Sequence, residues 1–168
     1  MTSSERRSNA ASSTVPTPRI NMRRFLCVLT AAFSLAACAH AVRGPSPEFL
    51  TPYGPPKNPF SPAVRAGNLL FLAGQIGTDS SGKVVAGGIQ AEARQALNNI
   101  SDVLRKTGSS MDNVVKCTVF MADMKEWPAM NEIYATYFRL HLPARSAFGA
   151  TGLALNARVE IECIAWID

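Results

Sequence analysis

One arginine and two glutamates are the residues of this sequence whose types and spacing could perform chemistry. Arg145 lies in the segment Pro143-Ala144-Arg145-Ser146, and Glu160 and Glu162 follow after a loop rich in Gly and Leu. An arginine fork binds a carboxylate through two parallel hydrogen bonds. A nearby glutamate can orient and deprotonate a water molecule. The pattern therefore indicates a site that holds a small carboxylic acid beside a reactive water.

The same three residues also have a simpler interpretation. A lone arginine often forms a surface ion pair, and glutamates that alternate along a strand usually face solvent, so spacing alone favours a purely structural role. A third interpretation lies between the two. Arg145 by itself would support a module that binds a small 2-oxo acid or another carboxylic acid without turnover, because only Glu160 argues for chemistry.

Two predicted strands carry these residues. Residues 144–150 and 158–167 are rich in apolar residues and flank the loop 151–156. Side chains alternate between the two faces of a strand, so the second strand has an apolar face and a mixed face. The apolar face holds Val159, Ile161, Cys163, Ala165 and Ile167, and the mixed face holds Glu160, Glu162, Ile164 and Trp166.

The remaining elements predict an α/β (α+β) domain in the order β-β-α-β-α-β-β. Strands are expected within 68–76, near 84–85 and at 114–121, and helices at 89–104 and 127–138, the second with Pro128 in its first turn. Two helices cover only one face of such a sheet. The second face therefore needs another subunit, which predicts a closed homo-oligomer.

Composition and charge indicate one globular domain without a nucleic-acid partner. The chain of 168 residues is 47% hydrophobic and 17% charged. Its net charge of +5 is concentrated in residues 1–38, where five arginines stand against Glu5, and 12 basic and 11 acidic residues follow. A nearly neutral domain lacks the basic surface that phosphate-backbone binding requires.

The N-terminal residues 1–41 resemble a targeting leader, whose true start could be Met22. Basic residues precede an apolar run, residues 25–37, that is too short to cross a bilayer. Leu35-Ala36-Ala37-Cys38 resembles a bacterial lipoprotein box, whereas Ala39-His40-Ala41 fits an ordinary cleavage site. We therefore expect an exported bacterial protein, either periplasmic or tethered to the membrane through lipidated Cys38. The alternative is an organellar transit peptide, because the leader is rich in Arg and Ser and poor in acids.

Residues 42–66 contain seven prolines and are expected to form an extended segment with at most a short edge strand, ahead of a domain at 67–168. Cys117 and Cys163 both lie in apolar strands and are expected to be buried free thiols, although a disulfide remains an alternative. Neither cysteine belongs to a CxxC or Cys/His cluster, so no metal site is predicted.

Five segments of residues 60–167 resemble the RidA/YjgF family of reactive-intermediate deaminases, which includes proteins called endoribonuclease L-PSP. The segments occur in the family's order, and the last two are the most specific. They are the strand Asn68 to Ile76 ending in Gly-Gln-Ile, the helix motif Gln95 to Ile100, the strand Asp112 to Phe120, Pro143-Ala144-Arg145-Ser146 and Val159-Glu160-Ile161-Glu162.

The resemblance implies a chorismate-mutase-like mixed sheet with two helices on one face, assembled as a homotrimer with clefts between subunits. It implies hydrolysis of reactive enamine or imine intermediates, such as 2-iminobutanoate and 2-iminopropanoate, to 2-oxo acids and ammonium, by a hydrolase acting on C–N bonds without cofactor or metal. Arg145 would hold the substrate carboxylate and Glu160 would position the water. Gly74 and Ala147 would offer backbone groups, and Asn131 would line the cleft.

This sequence also departs from the family pattern. Phe60 stands where many deaminating members have a tyrosine, Ala73 replaces a frequent serine and Ala147 replaces a cysteine of some members. The cleft is therefore expected to be more apolar than usual. Two further alternatives have less support: a ribonuclease would need more than His141 as an acid/base group, and a protein-interaction role would need exposed Trp127 and Trp166.

Overall fold

Seven strands and two helices make up residues 46–167, the part of the chain that this computed structural model describes. The strands form one sheet in the order β1-β2-β3-β7-β5-β6, and β4 also pairs with β7. The elements are β1 (Glu48–Leu50), β2 (Ala63–Ala66), β3 (Leu69–Leu72), β4 (Gln75–Ile76), α1 (Gly88–Lys106), β5 (Val114–Met121), α2 (Trp127–Ala135), β6 (Ala144–Gly149) and β7 (Val159–Trp166).

The central strand β7 has the two faces that its sequence predicts. Val159, Ile161, Cys163 and Ala165 are buried, whereas Glu160, Glu162, Ile164 and Trp166 are half-buried or exposed. The buried face packs against α1 in the main core, which also includes residues of α2. In the single chain, the other face leaves large apolar side chains exposed, among them those of Phe71, Phe148 and Trp166. The mixed sheet with two helices on one face is therefore confirmed.

Helix α1 forms where the periodicity of the sequence predicts it. Ile89, Ala93, Leu97, Ile100 and Leu104 are buried along one face, as an amphipathic helix on a sheet requires. The helix ends before Gly108, whose positive φ of 85° provides the left-handed conformation that commonly closes a helix.

Helix α2 makes the crossover between the parallel strands β5 and β6. Pro128 lies in its first turn, where the missing N–H is not needed. The helix ends at Ala135, three residues before the predicted end. Phe138 lies beyond the helix but is still buried. This crossover places β6, and with it Arg145, at an edge of the sheet.

The first part of the sheet differs from the prediction. Strands β1 and β2 lie within the proline-rich segment 42–66 and pair with each other, and β2 pairs with β3, so the sheet begins before residue 67. Two of the prolines precede β1 and five lie between β1 and β2, so none falls within β1 or β2, where a ladder hydrogen bond would be needed. The predicted strand 68–76 is interrupted at Ala73 and Gly74, and only an isolated bridge joins Thr78 to Val84.

Cys117 and Cys163 form a disulfide rather than the free thiols that we expected. The two residues are direct partners in the antiparallel pair of β5 and β7, with their Cα atoms 4.1 Å apart. Both side chains are buried on the helix-covered face. Their alignment depends on the register of strands 46 residues apart, which neither cysteine's local sequence encodes.

Candidate active site

Arg145 lies against two aromatic rings of α2. Its Cζ atom is 4.8 Å from the ring centroid of Trp127 and 4.5 Å from that of Tyr134. Both distances allow cation–π attraction, and the flat guanidinium group stacks well on aromatic faces. The two rings therefore restrict where the Arg145 fork can point.

The Tyr134 hydroxyl is buried and has no hydrogen-bond partner within residues 46–167. Burial raises the pKa of Tyr134 to about 12, although the positive charge of Arg145 acts in the opposite direction. The phenol therefore stays neutral at physiological pH. It leaves the positive charge of Arg145 uncompensated, as an anion-binding site needs.

Asn131 and Ala147 lie on the same side of the molecule as Arg145. Asn131 is on the stripe of α2 that contains Trp127 and Tyr134, since residues four and three apart share a helix face. Ala147 follows Arg145 by two residues in β6 and so points to the same face of the sheet. It lines a shallow depression of about 500 Å³ together with Met124, Lys125, Trp127 and Pro128.

Glu160 occupies space that is available only because residue 74 is glycine. A Cβ atom added to Gly74 would overlap Oε1 of Glu160 and lie 2.9 Å from its Cδ. The two residues are close because β4 pairs with β7, with Ile76 opposite Glu160. The absence of a side chain at Gly74 therefore leaves room for this carboxylate.

A cleft of about 520 Å³ surrounds Glu160. Its walls come from the proline-rich segment, from the region of β4 and from the loop before β7, and they are largely apolar. The lining residues include Phe60, Pro62, Gly74, Ile76 and Leu155. The structure thus brings Phe60, Gly74 and Glu160 of the predicted site together.

Arg145 and Glu160 point to opposite faces of the sheet. Arg145 is opposite Cys117, which is opposite Cys163 on the buried face of β7. Glu160 is opposite Phe120, whose ring touches that of Phe148 on the uncovered face. Directly paired residues project to the same side of a sheet. One chain therefore holds two half-sites, one around Arg145 with Asn131 and Ala147, and one around Glu160 with Gly74 and Phe60.

A buried carboxylate that sequence reasoning missed fixes the start of β7. Glu92 of α1 is only 5% exposed, and its Oε2 accepts a hydrogen bond of 2.7 Å from the backbone N–H of Arg158. The Arg158 side chain reaches Oε1 of Glu126 at 2.6 Å, directly before Trp127. This chain of contacts links the strand of Glu160 to the helix that holds Arg145. Its signal in the sequence is weak, because Glu92 looks like an ordinary helix-surface acid.

Other polar candidates lie away from both half-sites. Glu162 is on the uncovered face, and His141 is exposed in the loop before β6. Within residues 46–167, no group of three His, Cys, Asp or Glu side chains is arranged to hold a metal ion. Sequence reasoning did not associate Trp127 and Tyr134 with Arg145. The two rings are seven residues apart, which places them on one face of the helix and could have indicated a shared contact.

Residues 53–167 match the family model described as Endoribonuclease L-PSP. The chain is 47% identical to the 2-iminobutanoate/2-iminopropanoate deaminase of Mus musculus over 108 residues, which are 64% of this chain and 80% of the mouse protein. It is 42% identical over 108 residues to the chloroplastic Reactive Intermediate Deaminase A of Arabidopsis thaliana, covering 64% of this chain and 58% of that protein.

A solved structure has the same fold. The crystal structure of yeast Mmf1 matches with a TM-score of 0.68 at 38% sequence identity, covering 73% of this chain and all of that one. The corresponding protein of Saccharomyces cerevisiae, described as mitochondrial, is 42% identical over 106 residues, 63% of this chain and 73% of its own length.

The names of these relatives correct our interpretation of the leader. They place one relative in chloroplasts and another in mitochondria, and neither is an exported lipoprotein. The prediction of a bacterial signal peptide, a periplasmic location and a membrane tether through lipidated Cys38 is therefore wrong, and the organellar alternative agrees better with these names. Residues 1–41, including Cys38, lie outside the described residues. In residues 46–167, no helix is long and apolar enough to cross a membrane.

Proposed function

Since this chain belongs to the RidA family, which the Endoribonuclease L-PSP model describes, we propose that it is an imine deaminase. Its substrates are 2-imino acids of the 2-iminobutanoate and 2-iminopropanoate type, which it hydrolyses to 2-oxo acids and ammonium. The observation that carries the proposal is the setting of Glu160, whose carboxylate lies against Gly74 at the wall of a cleft large enough for a small acid.

The reaction needs few groups because an imine carbon is already electrophilic. Water adds to the C=N carbon, the nitrogen takes up protons, and the C–N bond of the resulting aminoalcohol breaks to release ammonia. Glu160 orients the water, accepts its proton and returns a proton to the leaving nitrogen. Arg145 binds the substrate carboxylate through its fork and holds the imine carbon in position. We propose that no cofactor takes part, which makes the protein a cofactor-independent hydrolase of C–N bonds.

The two half-sites belong to different subunits in this proposal. Arg145 and Glu160 face opposite sides of one sheet, so one substrate cannot contact both within a chain. A homotrimer would place the Arg145 half of one subunit against the Glu160 half of the next and form three clefts. The exposed Phe71, Phe148 and Trp166 on the uncovered face offer the apolar surface that such an assembly would bury.

Asn131, Ala147 and Gly74 have supporting roles in the composite cleft. Ala147 and Gly74 leave their backbone groups accessible, one beside Arg145 and one beside Glu160, and Asn131 adds a side-chain amide on the Arg145 side. Phe60 contributes an aromatic wall to the Glu160 half. Each of these residues is proposed to position the substrate rather than to transfer protons.

Ammonium release from 2-iminopropanoate tests the proposal. An amino-acid oxidase generates the imine from alanine in situ, and the full chain is compared with Arg145→Ala and Glu160→Gln. We expect faster release with the natural chain and the spontaneous rate with both variants. Arg105→Ala and Glu132→Gln, which change exposed residues of α1 and α2, serve as matched controls that keep full activity. Release at the spontaneous rate with the natural chain would contradict the proposal.

A carboxylic-acid binding module is the second candidate function, and the aromatic setting of Arg145 favours it as much as it favours catalysis. Both functions predict that Glu160→Gln binds pyruvate, so turnover by the natural chain separates the two. An enzyme loses turnover in this variant but keeps binding through Arg145, whereas a binding module shows no turnover even with Glu160 present.

Nucleic acid is not a proposed partner, although the family model is named for a ribonuclease. The folded residues are nearly neutral, which gives little attraction for a phosphate backbone. His141 is the single histidine of residues 46–167 and is exposed in a loop, so the described residues offer no pair of histidines for RNA cleavage.

A further inference from the structure

In the single chain, the cleft around Glu160 is larger and more apolar than a three-carbon substrate requires. Its volume of about 520 Å³ lies in the range of pockets that enclose drug-sized ligands. Glu160 is its one acidic lining residue, and much of the wall consists of the side chains of Phe60, Pro62, Ile76 and Leu155. The methyl group of 2-iminopropanoate would contact little of this surface.

Leu155 is the most unusual residue of this wall. Its φ of 56° and the φ of 54° at Asn156 place two consecutive non-glycine residues in the left-handed region, which L-residues avoid. Its side chain is also 64% exposed, so an apolar group faces water in a backbone conformation that costs free energy. Strain of this kind concentrates where a side chain must be presented to a ligand.

Phe60 provides a second exposed apolar group from a different segment. It lies among the prolines between β1 and β2, and it is 53% exposed. Prolines limit the backbone freedom of this segment, so the ring is presented with little loss of entropy on binding. An exposed apolar patch beside polar groups is typical of a ligand-binding surface.

We propose that Phe60 and Leu155 form a subsite for the substrate side chain and that the enzyme prefers 2-imino acids with large apolar side chains. This inference rests on the proposed deaminase function and specifies its substrate class. Imines derived from leucine or phenylalanine bury several more carbon atoms against this wall than the imine derived from alanine. Each buried methylene group favours binding by about fourfold, so the preference is expected to be about tenfold or more in kcat/KM.

The test compares kcat/KM for the imines that an amino-acid oxidase generates from alanine, leucine and phenylalanine. The natural full-length chain is measured beside Leu155→Gly and Phe60→Ala. Glycine adopts the left-handed conformation without strain, so Leu155→Gly is expected to fold. Phe49→Ala is the matched control, because Phe49 is also exposed but does not line the cleft.

The ratio of kcat/KM for the leucine imine to that for the alanine imine decides the outcome. The proposal expects a ratio of about ten or more for the natural chain and the control, falling severalfold in both cleft variants. A ratio near one, or a ratio that neither cleft variant changes, overturns the subsite.

Failure of the deaminase function itself would give a different result. In that case, no imine is hydrolysed faster than it decays spontaneously. Binding of the corresponding 2-oxo acids then decides on the subsite. The subsite predicts that 4-methyl-2-oxopentanoate binds more tightly than pyruvate and that Leu155→Gly reduces this difference. Equal binding of the two acids by the natural chain overturns the subsite.

Discussion

The Glu160 carboxylate can keep its position only if residue 74 has no side chain. Gly74→Ala adds a methyl group where the Glu160 carboxylate now lies, so the carboxylate must move away from the water position. A displacement of about 1 Å at a reacting group commonly costs about a hundredfold in rate. We therefore expect kcat for 2-iminopropanoate hydrolysis to fall by about that factor.

Gly152→Ala is the control for this substitution. A Cβ atom at Gly152 meets no neighbour within 4 Å, so this variant should keep the natural kcat. If Gly74→Ala retained full activity in the same assay, the Glu160 carboxylate would not need the position that the structure gives it.

Tyr134 carries a buried hydroxyl that costs stability in the single chain. It has no partner among the described residues, and an unpaired buried polar group is unfavourable by about 1–3 kcal/mol. Tyr134→Phe removes the hydroxyl and keeps the ring against Arg145, so we expect the free energy of unfolding to rise by about 1 kcal/mol. Urea denaturation at a fixed protein concentration measures this change.

For Tyr137→Phe, we expect the opposite change in the free energy of unfolding. The Tyr137 hydroxyl donates to Oδ1 of Asn98 at 2.7 Å, and the carbonyl oxygen of Arg94 lies 3.1 Å away as an alternative acceptor, so its removal should lower the free energy of unfolding. A loss of stability in Tyr134→Phe as well would mean that its hydroxyl has a partner in the assembled protein.

At the scale of elements, local patterns predicted the helices and the central strands well. The buried residues of helix α1 recur every three or four positions and those of strand β7 every second position. Both patterns can be recognised from neighbouring residues alone. Strand β1 was missed and β2 was expected as a short edge strand at most, because the segment contains seven prolines. Their pairing depends on partners up to 17 residues away, such as Arg65 for Glu48.

The register of the paired strands could not be predicted from the sequence either. Arg145 and Glu160 were predicted as neighbours on consecutive strands, and the faces to which they point depend on how β6 and β7 each align with β5. A shift of one residue in either pair would move one side chain to the other face. The motifs could therefore suggest candidate site residues, but they could not show which face of the sheet each residue occupies.

Glu92 joins two elements, and its removal should weaken the fold rather than the chemistry alone. Glu92→Ala leaves the partly buried N–H of Arg158 without its acceptor. The ion pair with Arg158, whose side chain is half exposed, adds little because solvent screens it. We expect a loss of about 1–3 kcal/mol in the free energy of unfolding, measured by urea denaturation.

Glu132→Ala is the control for the loss of a glutamate. Glu132 is exposed on α2 and accepts one hydrogen bond from Gln90, so its removal should change stability by less than about 0.5 kcal/mol. Equal stability of the Glu92→Ala variant and the natural chain would show that the start of β7 does not depend on this contact.

At the scale of the whole molecule, the uncovered face of the sheet and the divided site have the same explanation. In our proposal, a second copy covers the apolar side chains of this face and brings one half-site against the other to form one cleft. The sequence predicted the first requirement from the small number of helices. It misled us about the leader, because an Arg-rich start with an apolar run is shared by export signals and by organellar leaders.

Complementation between two inactive variants tests the composite site most directly. Arg145→Ala and Glu160→Gln are each expected to be inactive, and they are then co-expressed in equal amounts so that mixed oligomers form. If every cleft takes Arg145 from one subunit and Glu160 from its neighbour, about one quarter of the clefts in random mixtures hold both residues. Ammonium release should then recover to about one quarter of the natural rate. No recovery in oligomers that native mass spectrometry finds to contain both variants would contradict a site shared between subunits.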